Sequence, residues 1–405
     1  MNIGRILPPL RRSDVEIKDV KNSNKFHSER AFDTRGRIDV KFLIYTVIAL
    51  FFGAVMNYSA SSVYAEQLYG ESTYFLVRYV LFAAVSGIVT FFFVRRATAS
   101  FWYFFAKAIY AVAIAMLLLV LVIGTVGGGA QRWLKLGPIT IQPSEVAKLA
   151  VVMMLARYLS DHEAEVLSVK QKGGSFRHGV LMPGAIIGTI GVLVALEKHI
   201  SGLMIIGMIS IAVMFMGGTR LRYLGLIVGA VVLAGTGLIL VSEYAQTRVH
   251  TWLNIDTVDP LGEAWQTLQG LYAIGSGGFF GLGLFNSRQK YGYVSQPQND
   301  FVFTVVCEEL GFLGAVAVLL LFSLMVIRGV KIALRIPDRF CALVVLGLVT
   351  KLALQVALNI AVVTNSMPNT GISLPFFSSG GTSLALQIFE MGIILNLSRY
   401  SRLKK

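Results

Sequence analysis

Asp300 stands at the foot of a long apolar run, QPQNDFVFTVVCEELG, and Glu308 and Glu309 follow deeper inside the same run. Ionised carboxylates next to hydrocarbon are costly, roughly 2.5–3.5 kcal/mol each at a helix centre. Asp300 follows Pro297 and has two uses open to it. It can cap the coming helix by accepting hydrogen bonds from free N–H groups, or it can meet a ligand as a base. Asn299 would cap equally well, and no Glu or Gln lies three residues after either one to complete a capping box. Spacing alone leaves both uses open. Glu308 and Glu309 are read as structural, one facing a polar partner in the bundle and the other neutral by protonation.

Three further constellations could carry chemistry. Glu145 and Lys148 in QPSEVAK stand three apart, on one face of a helix, where an ion pair lowers the cost of burying both. Their alternatives are a strut between helices and an electrostatic element of a polar cavity. Arg132 and Lys135 in GGGAQRWLKLGP, with Arg288 and Lys290 further on, offer cations for an anionic headgroup or simply charge for solvated loops. Lys351, Gln355 and Asn359 recur every four residues and draw a polar stripe down one helix. Such a stripe can join helices by hydrogen bonds or line a cavity.

The elements that must hold these residues are membrane spans. The chain has 405 residues, of which 55% are hydrophobic and 14% charged. A soluble protein would carry about 25% charged residues, and the mean hydropathy is +0.68. The expected fold is an all-α polytopic bundle of about ten transmembrane helices, near 42–60, 74–94, 103–124, 144–160, 180–196, 201–217, 222–241, 300–327, 341–364 and 381–398. Each approaches the length that crosses ~30 Å of hydrocarbon. The sequence pI near 9.8 would suit nucleic acid, but the position of the charge argues for membrane orientation and no nucleic-acid partner. With both termini inside, 27 of the 36 Lys and Arg fall on the cytoplasmic side, as the positive-inside rule requires.

Residues 1–41 read as a basic flexible cytoplasmic tail, 42–398 as the transmembrane domain, and 399–405 as a basic cytoplasmic C-terminus. Between the seventh and eighth spans runs the large outer loop 242–299, where a thiol reagent should reach a cysteine placed at Ser287. Within it, AWQTLQGLYAIGSGGFFGLGLF (264–285) suggests an interfacial helix with a stripe of Trp265, Leu268, Leu271 and Ile274 or Tyr272. Gln266 and Gln269 fall off that stripe, and the glycines from Gly275 to Gly283 permit tight turns. Cys307 and Cys341 lie in apolar runs, and five scattered histidines show no ligand spacing. Neither a disulfide framework nor a His/Cys metal centre is expected.

The segments GGGAQRWLKLGPITIQPSEVAK, DPLGEAWQTLQGLYAIGSGGFFGLGLFNSRQKYGYVSQPQNDFVFTVVCEELGF and NTGISLPFFSSGGTS resemble the SEDS family (shape, elongation, division and sporulation) of FtsW/RodA/SpoVE-type proteins. NSRQK and EELGF look closer to the FtsW/SpoVE branch. The resemblance implies a peptidoglycan glycosyltransferase that polymerises lipid II at the outer face of the bacterial cytoplasmic membrane. It implies a class B penicillin-binding protein as transpeptidase partner and a place in the division, sporulation or elongation machinery. The family's essential acid falls on Asp300, and its paired acid and lysine fall on Glu145 and Lys148. The chain departs from the family pattern at Glu197–Gly202, EKHISG, where many members read Gln/Glu-Pro-Asp-Leu-Gly, and at SQPQND in the outer loop.

In such a reaction Asp300 would be the general base for the acceptor hydroxyl, typically a ~10²–10⁴-fold effect. A pyrophosphate leaving group needs no acid, so one carboxylate suffices. Arg132, Lys135, Lys148, Arg288 and Lys290, or a divalent Mg or Mn ion, would stabilise the leaving charge, with Lys351 lining the substrate cavity. No organic cofactor is expected. A lipid II flippase and a non-catalytic scaffold are the rivals; the matched halves common in transporters are not visible.

Overall fold

In the computed structural model, residues 36–401 are described apart from 128–129, 138, 168–175, 242, 256, 258, 260–261, 263 and 295–296. Residues 1–35 of the expected tail and 402–405 of the expected C-terminus therefore lie outside the described residues. Helices stand at all ten positions read from hydropathy: α1 (Val40–Tyr69), α2 (Tyr74–Arg96), α3 (Ala99–Ile123), α4 (Pro143–Asp161), α6 (Met182–Leu196), α7 (Ile200–Met216), α8 (Leu221–Val241), α11 (Val302–Ala333), α12 (Arg339–Val363) and α13 (Gly381–Ser398). A short α5 (Glu163–Leu167) follows α4, and a π-helical turn, Arg177–Leu181, leads into α6.

Seven of these units are long and apolar enough to cross a membrane, which makes the chain a multi-pass membrane protein. The expected ten are not all reached by that measure. Helices α7 and α8 offer only shorter apolar stretches, and α4 carries Glu145, Lys148, Arg157 and Asp161. Helix α1 buries small and polar side chains and turns large apolar ones outward. In α1 the buried side chains include Asn57, Ser59, Ala60 and Ser61, while Phe51 is exposed. Small and hydroxylated residues let neighbouring backbones approach, and interhelical hydrogen bonds then add to packing. α4 and α12 are instead mostly buried and pack on one another, with α7 against both.

The two ends of the bundle differ. At the termini end, Asp39 caps α1 by accepting from Phe42 N at 3.0 Å and takes a two-pronged hydrogen bond from Arg328 on α11. The Asp39 amide donates to Ser398 Oγ at 3.0 Å, tying the first and last helices together. At the opposite, loop end, α3 and α4 are joined by a small antiparallel sheet, β1 (Thr125–Gly127), β2 (Ala130–Leu136) and β3 (Ile139–Ile141). Hydropathy does not reveal this sheet, since its strands are short and mixed in character.

The long connection before α11 holds two helices, α9 (Glu243–Leu253) and α10 (Trp265–Ser276). α10 packs on α11 through Thr267, Gln269, Gly270 and Ala273. Gln269 is thus buried, while the apolar stripe keeps some exposure: small side chains, not large ones, allow the close approach. Beyond α10 the expected glycine turns appear, with Gly278, Gly281 and Gly283 at positive φ. They fit against a break in α11, where Gly311 takes φ 64° and ψ −162°. The carbonyls of Glu308 and Glu309 accept from Leu282 N (2.9 Å) and Gly283 N (3.0 Å), and Phe312 N donates to Gly278 O at 2.9 Å. Loop backbone thereby satisfies the groups that the break frees, as buried broken helices require. A Cβ on Gly311 would sit 2.3 Å from Gly281 N.

Candidate active site at the loop end of the bundle

Asp300 lies in the turn just before α11, outside the span. The helix is entered through Phe301, which makes no side-chain cap bond, so neither Asp300 nor Asn299 occupies the N-cap. Asn299 Oδ1 accepts instead from Ser379 Oγ at 2.8 Å. The Asp300 backbone is fixed by Asn359, whose Nδ2 donates to the Asp300 carbonyl and to Ile372 O, both at 2.7 Å. The loop end of the polar stripe on α12 therefore holds the backbone of the acid. Beside the carboxylate, Gly371 takes φ 68°, and a Cβ there would come within 3.6 Å of Asp300 Oδ2. Burial pushes the Asp300 carboxyl up to about 6, against the pull of its own backbone hydrogen bond and of Arg248 on α9.

A second cluster lies deeper. Glu145 and Lys148 form the expected ion pair at 2.5 Å. Lys351 on α12 adds to it, 3.8 Å from Glu145 Oε2 and 2.5 Å from Glu390 on α13. Three buried charges and the half-buried Glu145, from three helices, thus balance two against two. Lys351 is eight residues before Asn359, or about 12 Å along the helix at 1.5 Å per residue. Glu145 Oε2 makes no hydrogen bond, so the network retains an acceptor.

Arg132 joins this region from β2 by donating to Lys198 O at 2.7 Å. That contact bears on the α6–α7 turn, the segment EKHISG that departs from the family pattern. Glu197 there is 1% exposed, with neither carboxylate oxygen bonded. Burial lifts its pKa to about 8, against the opposing charge of Arg132. His199 is pushed down to about 4, first by burial and then by Arg132 and Lys148, which Glu145 opposes.

The remaining expected cations are elsewhere. Lys135 is exposed on β2, and Arg288 is exposed in the loop. Lys290 is buried and faces Glu309 at 3.2 Å, with its Nζ also donating to Phe285 O at 2.6 Å. Glu309 further accepts from Ser59 Oγ and the amides of Phe285 and Ser287. Glu308 accepts from Ser287 Oγ and Arg288 N. Both acids serve as structural acceptors, and both, not one, face polar partners. Ser287 is 1% exposed, which overturns its expected access to reagent: its hydroxyl serves Glu308. Among the described residues no three His, Cys, Asp or Glu side chains gather as a metal site.

Sequence reasoning missed Glu390, Arg248 and the burial of the titratable side chains Glu197 and His199. Glu390 is a lone acid inside the last apolar run, and an unpaired intramembrane acid asks for a partner; Lys351 was the obvious one. Arg248 carried no local signal.

A multi-pass bundle with a half-buried acid at the mouth of a span and paired charges beneath it defines the class. The profile of the FtsW/RodA/SpoVE cell cycle proteins matches residues 40–403. Stage V sporulation protein E of Bacillus subtilis (strain 168) is 38% identical over 368 residues, covering 90% of this chain and 98% of that protein. A probable peptidoglycan glycosyltransferase FtsW of Trichlorobacter lovleyi is 35% identical over 366 residues, 89% of this chain and 93% of that one. One chain of a peptidoglycan synthase complex, solved to show how polymerization and crosslinking are coordinated, superimposes with a TM-score of 0.74 at 26% identity, covering 89% of this chain and 98% of that chain. Thermus thermophilus RodA superimposes with a TM-score of 0.66 at 25% identity, over 91% of this chain and 98% of its own. This chain belongs to the FtsW/RodA/SpoVE family of cell cycle proteins.

Proposed function

We propose that this protein is a peptidoglycan glycosyltransferase that polymerises lipid II, with Asp300 as general base. The observation that carries the reading is the state of Asp300: it caps no helix, its backbone is held by Asn359, and its pKa of about 6 suits proton abstraction near neutrality. A base works best with a pKa near the operating pH. The acceptor sugar's 4-hydroxyl gives its proton to Asp300 as its oxygen attacks C1 of the donor sugar. The C1–O bond to the pyrophosphate breaks, and undecaprenyl pyrophosphate leaves as an anion.

The buried cluster of Glu145, Lys148, Lys351 and Glu390, with Arg132 above it, provides a fixed field beneath the site. In this reading Lys148 and Arg132 balance the leaving group, and Lys135 and Arg288 meet it in solvent. Lys290 serves the loop that carries the site. A divalent cation carried in with the pyrophosphate is the alternative counter-charge, and a chelator titration tests it. The charge bias of the sequence puts the loop end outside the bacterial cytoplasmic membrane and both termini in the cytoplasm. Relatedness to one chain of a synthase complex supports a crosslinking partner, a class B penicillin-binding protein, within the division, sporulation or elongation machinery. The test is polymerisation of purified lipid II by the purified protein, with and without that partner. Glycan strands are expected; lipid II translocation without polymer would overturn the reading in favour of a flippase.

A further inference from the structure

Between α10 and the break in α11, the stretch GGFFGLGLFN (277–286) carries no charge and turns its largest side chains outward. Phe279 is 55% exposed and Phe280 77%, with Leu284 and Phe285 exposed beside them. The Phe279 ring stacks on Phe312 of α11, centroids 5.8 Å apart, and Phe285 meets Tyr58 of α1 edge to face at 5.7 Å. An exposed apolar patch of this kind marks an interaction surface, and its partner follows from where the patch lies along the helices.

Two polar ties join α1 and α11. Arg328 donates to Asp39 at one end, and Ser59 donates to Glu309 at the other. Ser59 is 20 residues from Asp39, and Glu309 is 19 from Arg328. On either helix the ties thus stand about 30 Å apart at 1.5 Å per residue, which is the thickness of the hydrocarbon core. Ile48 and Phe51 on α1 and Leu313 and Leu320 on α11 are among the outward side chains between them. The Ser59–Glu309 tie therefore marks one edge of the hydrocarbon, and the loop is bound to it. Gly283 N and Phe285 N donate to the Glu309 carbonyl and carboxylate, both at 3.0 Å.

Irregular backbone at membrane depth is tolerated only where the protein satisfies its polar groups. Here Gly281 N and Leu282 N donate to Gly277 O and Glu308 O at 2.8 and 2.9 Å. Gly278 O and Phe279 O accept from Phe312 N and Leu313 N at 2.9 and 3.3 Å. A loop bathed in water has no need of such closure.

We infer that this loop is a membrane anchor: Phe279 and Phe280 insert into the leaflet at the loop end of the bundle, at the boundary between acyl chains and phospholipid headgroups. The chain runs on from the anchor to Asp300, so the anchor sets the height of the outer loop over the lipid, whatever reaction Asp300 serves.

The test uses the full-length protein in nanodiscs of phosphatidylethanolamine and phosphatidylglycerol. Cys307 and Cys341 are buried, so a thiol-reactive, environment-sensitive dye marks the cysteine introduced by Phe280→Cys or Phe279→Cys. Glu71→Cys, on the exposed connection between α1 and α2, is the aqueous control. Nitroxide lipids labelled high on the acyl chain should quench the dye at 280 about threefold more than lipids labelled near the chain end, as an apolar face buried ~5–10 Å requires. Iodide should quench it less than the dye at 71. The dye at 279 should read the same depth, and it decides the matter if Phe280→Cys does not fold. Adding the class B penicillin-binding protein should leave the lipid quenching in place. Strong iodide quenching, absence of nitroxide quenching, or quenching strongest from the chain end overturns the proposal, since it places the loop in water, against protein or in the bilayer centre. Loss of nitroxide quenching on adding the penicillin-binding protein also overturns it, in favour of a docking face for that partner.

Discussion

Two clusters of buried charge sit at the loop end, and they differ in how completely their atoms are partnered. Around Glu308 and Glu309 every carboxylate oxygen accepts from Ser59, Lys290 or the 285–289 stretch. Around Glu145 the charges balance, but Glu145 Oε2 and both oxygens of nearby Glu197 accept no hydrogen bond. The first cluster is a fastening: it holds the loop on the broken helix α11. The second retains hydrogen-bonding capacity that a ligand can take up. Burial of charge therefore does not by itself mark a site. Buried capacity left unused does, because satisfied networks of this kind stabilise structure whereas unsatisfied groups are costly.

The largest expected effect is in the fastening. Glu309→Ala leaves Lys290 as a buried cation without its acid and frees the amides of Phe285 and Ser287. Breaking a buried pair from one side costs ~3–5 kcal/mol, so the yield of folded protein in detergent should collapse. Normal yield with lost polymerisation would instead place Glu309 in the site. Gly311→Ala should be comparably severe, since a positive φ and a 2.3 Å approach to Gly281 N are both incompatible with a side chain.

In the open cluster the effects should be smaller and coupled. Glu145→Gln leaves Lys148 and Lys351 facing Glu390 alone, whereas Glu145→Gln with Lys148→Met leaves the balanced Lys351–Glu390 pair. The double variant should cost less stability than the two single losses added, by ~0.5–3 kcal/mol, and polymerise poorly even when well folded. Simple additivity in thermal unfolding would show that the pair is not coupled.

The effect at Glu197 shows only as a pH dependence. Its folded pKa of about 8 exceeds the ordinary 4.5, so the fold disfavours the charged form. That cost is full above about pH 8 and absent below the unfolded pKa. Glu197→Gln should therefore remove a loss of stability between pH 5 and 9 that the wild type shows. An unchanged pH dependence of the melting temperature in the variant would assign that loss to other groups.

Much of this was legible in the sequence, and the reasons are physical. Hydropathy places spans because lipid demands it, and Glu145 with Lys148 is visible because three residues on a helix share a face. Glycines at 278, 281 and 283 announce turns that other residues cannot make. What escaped depends on contacts distant in sequence. Lys351 and Glu390 are 39 positions apart, and Arg132 reaches Lys198 across 66. The burial of Ser287 depends on Glu308, 21 residues further along, and that of Gln269 on the packing of α10 against α11.

The central claim is that Asp300 acts as the base, and the pH–rate profile of lipid II polymerisation tests it directly. With a carboxyl near 6, the wild-type rate should fall as pH drops through about 6, because the protonated acid cannot accept a proton. Asp300→Asn keeps the shape and should leave expression and partner binding intact, but lose activity by ~10²-fold or more, with no acid limb in the residue that remains. Asp300→Glu, displaced by one methylene, should be impaired nearly as badly, since a misplacement of about 1 Å can cost ~10²-fold. Full polymerisation by Asp300→Asn, or an acid limb that survives in it, would contradict the account.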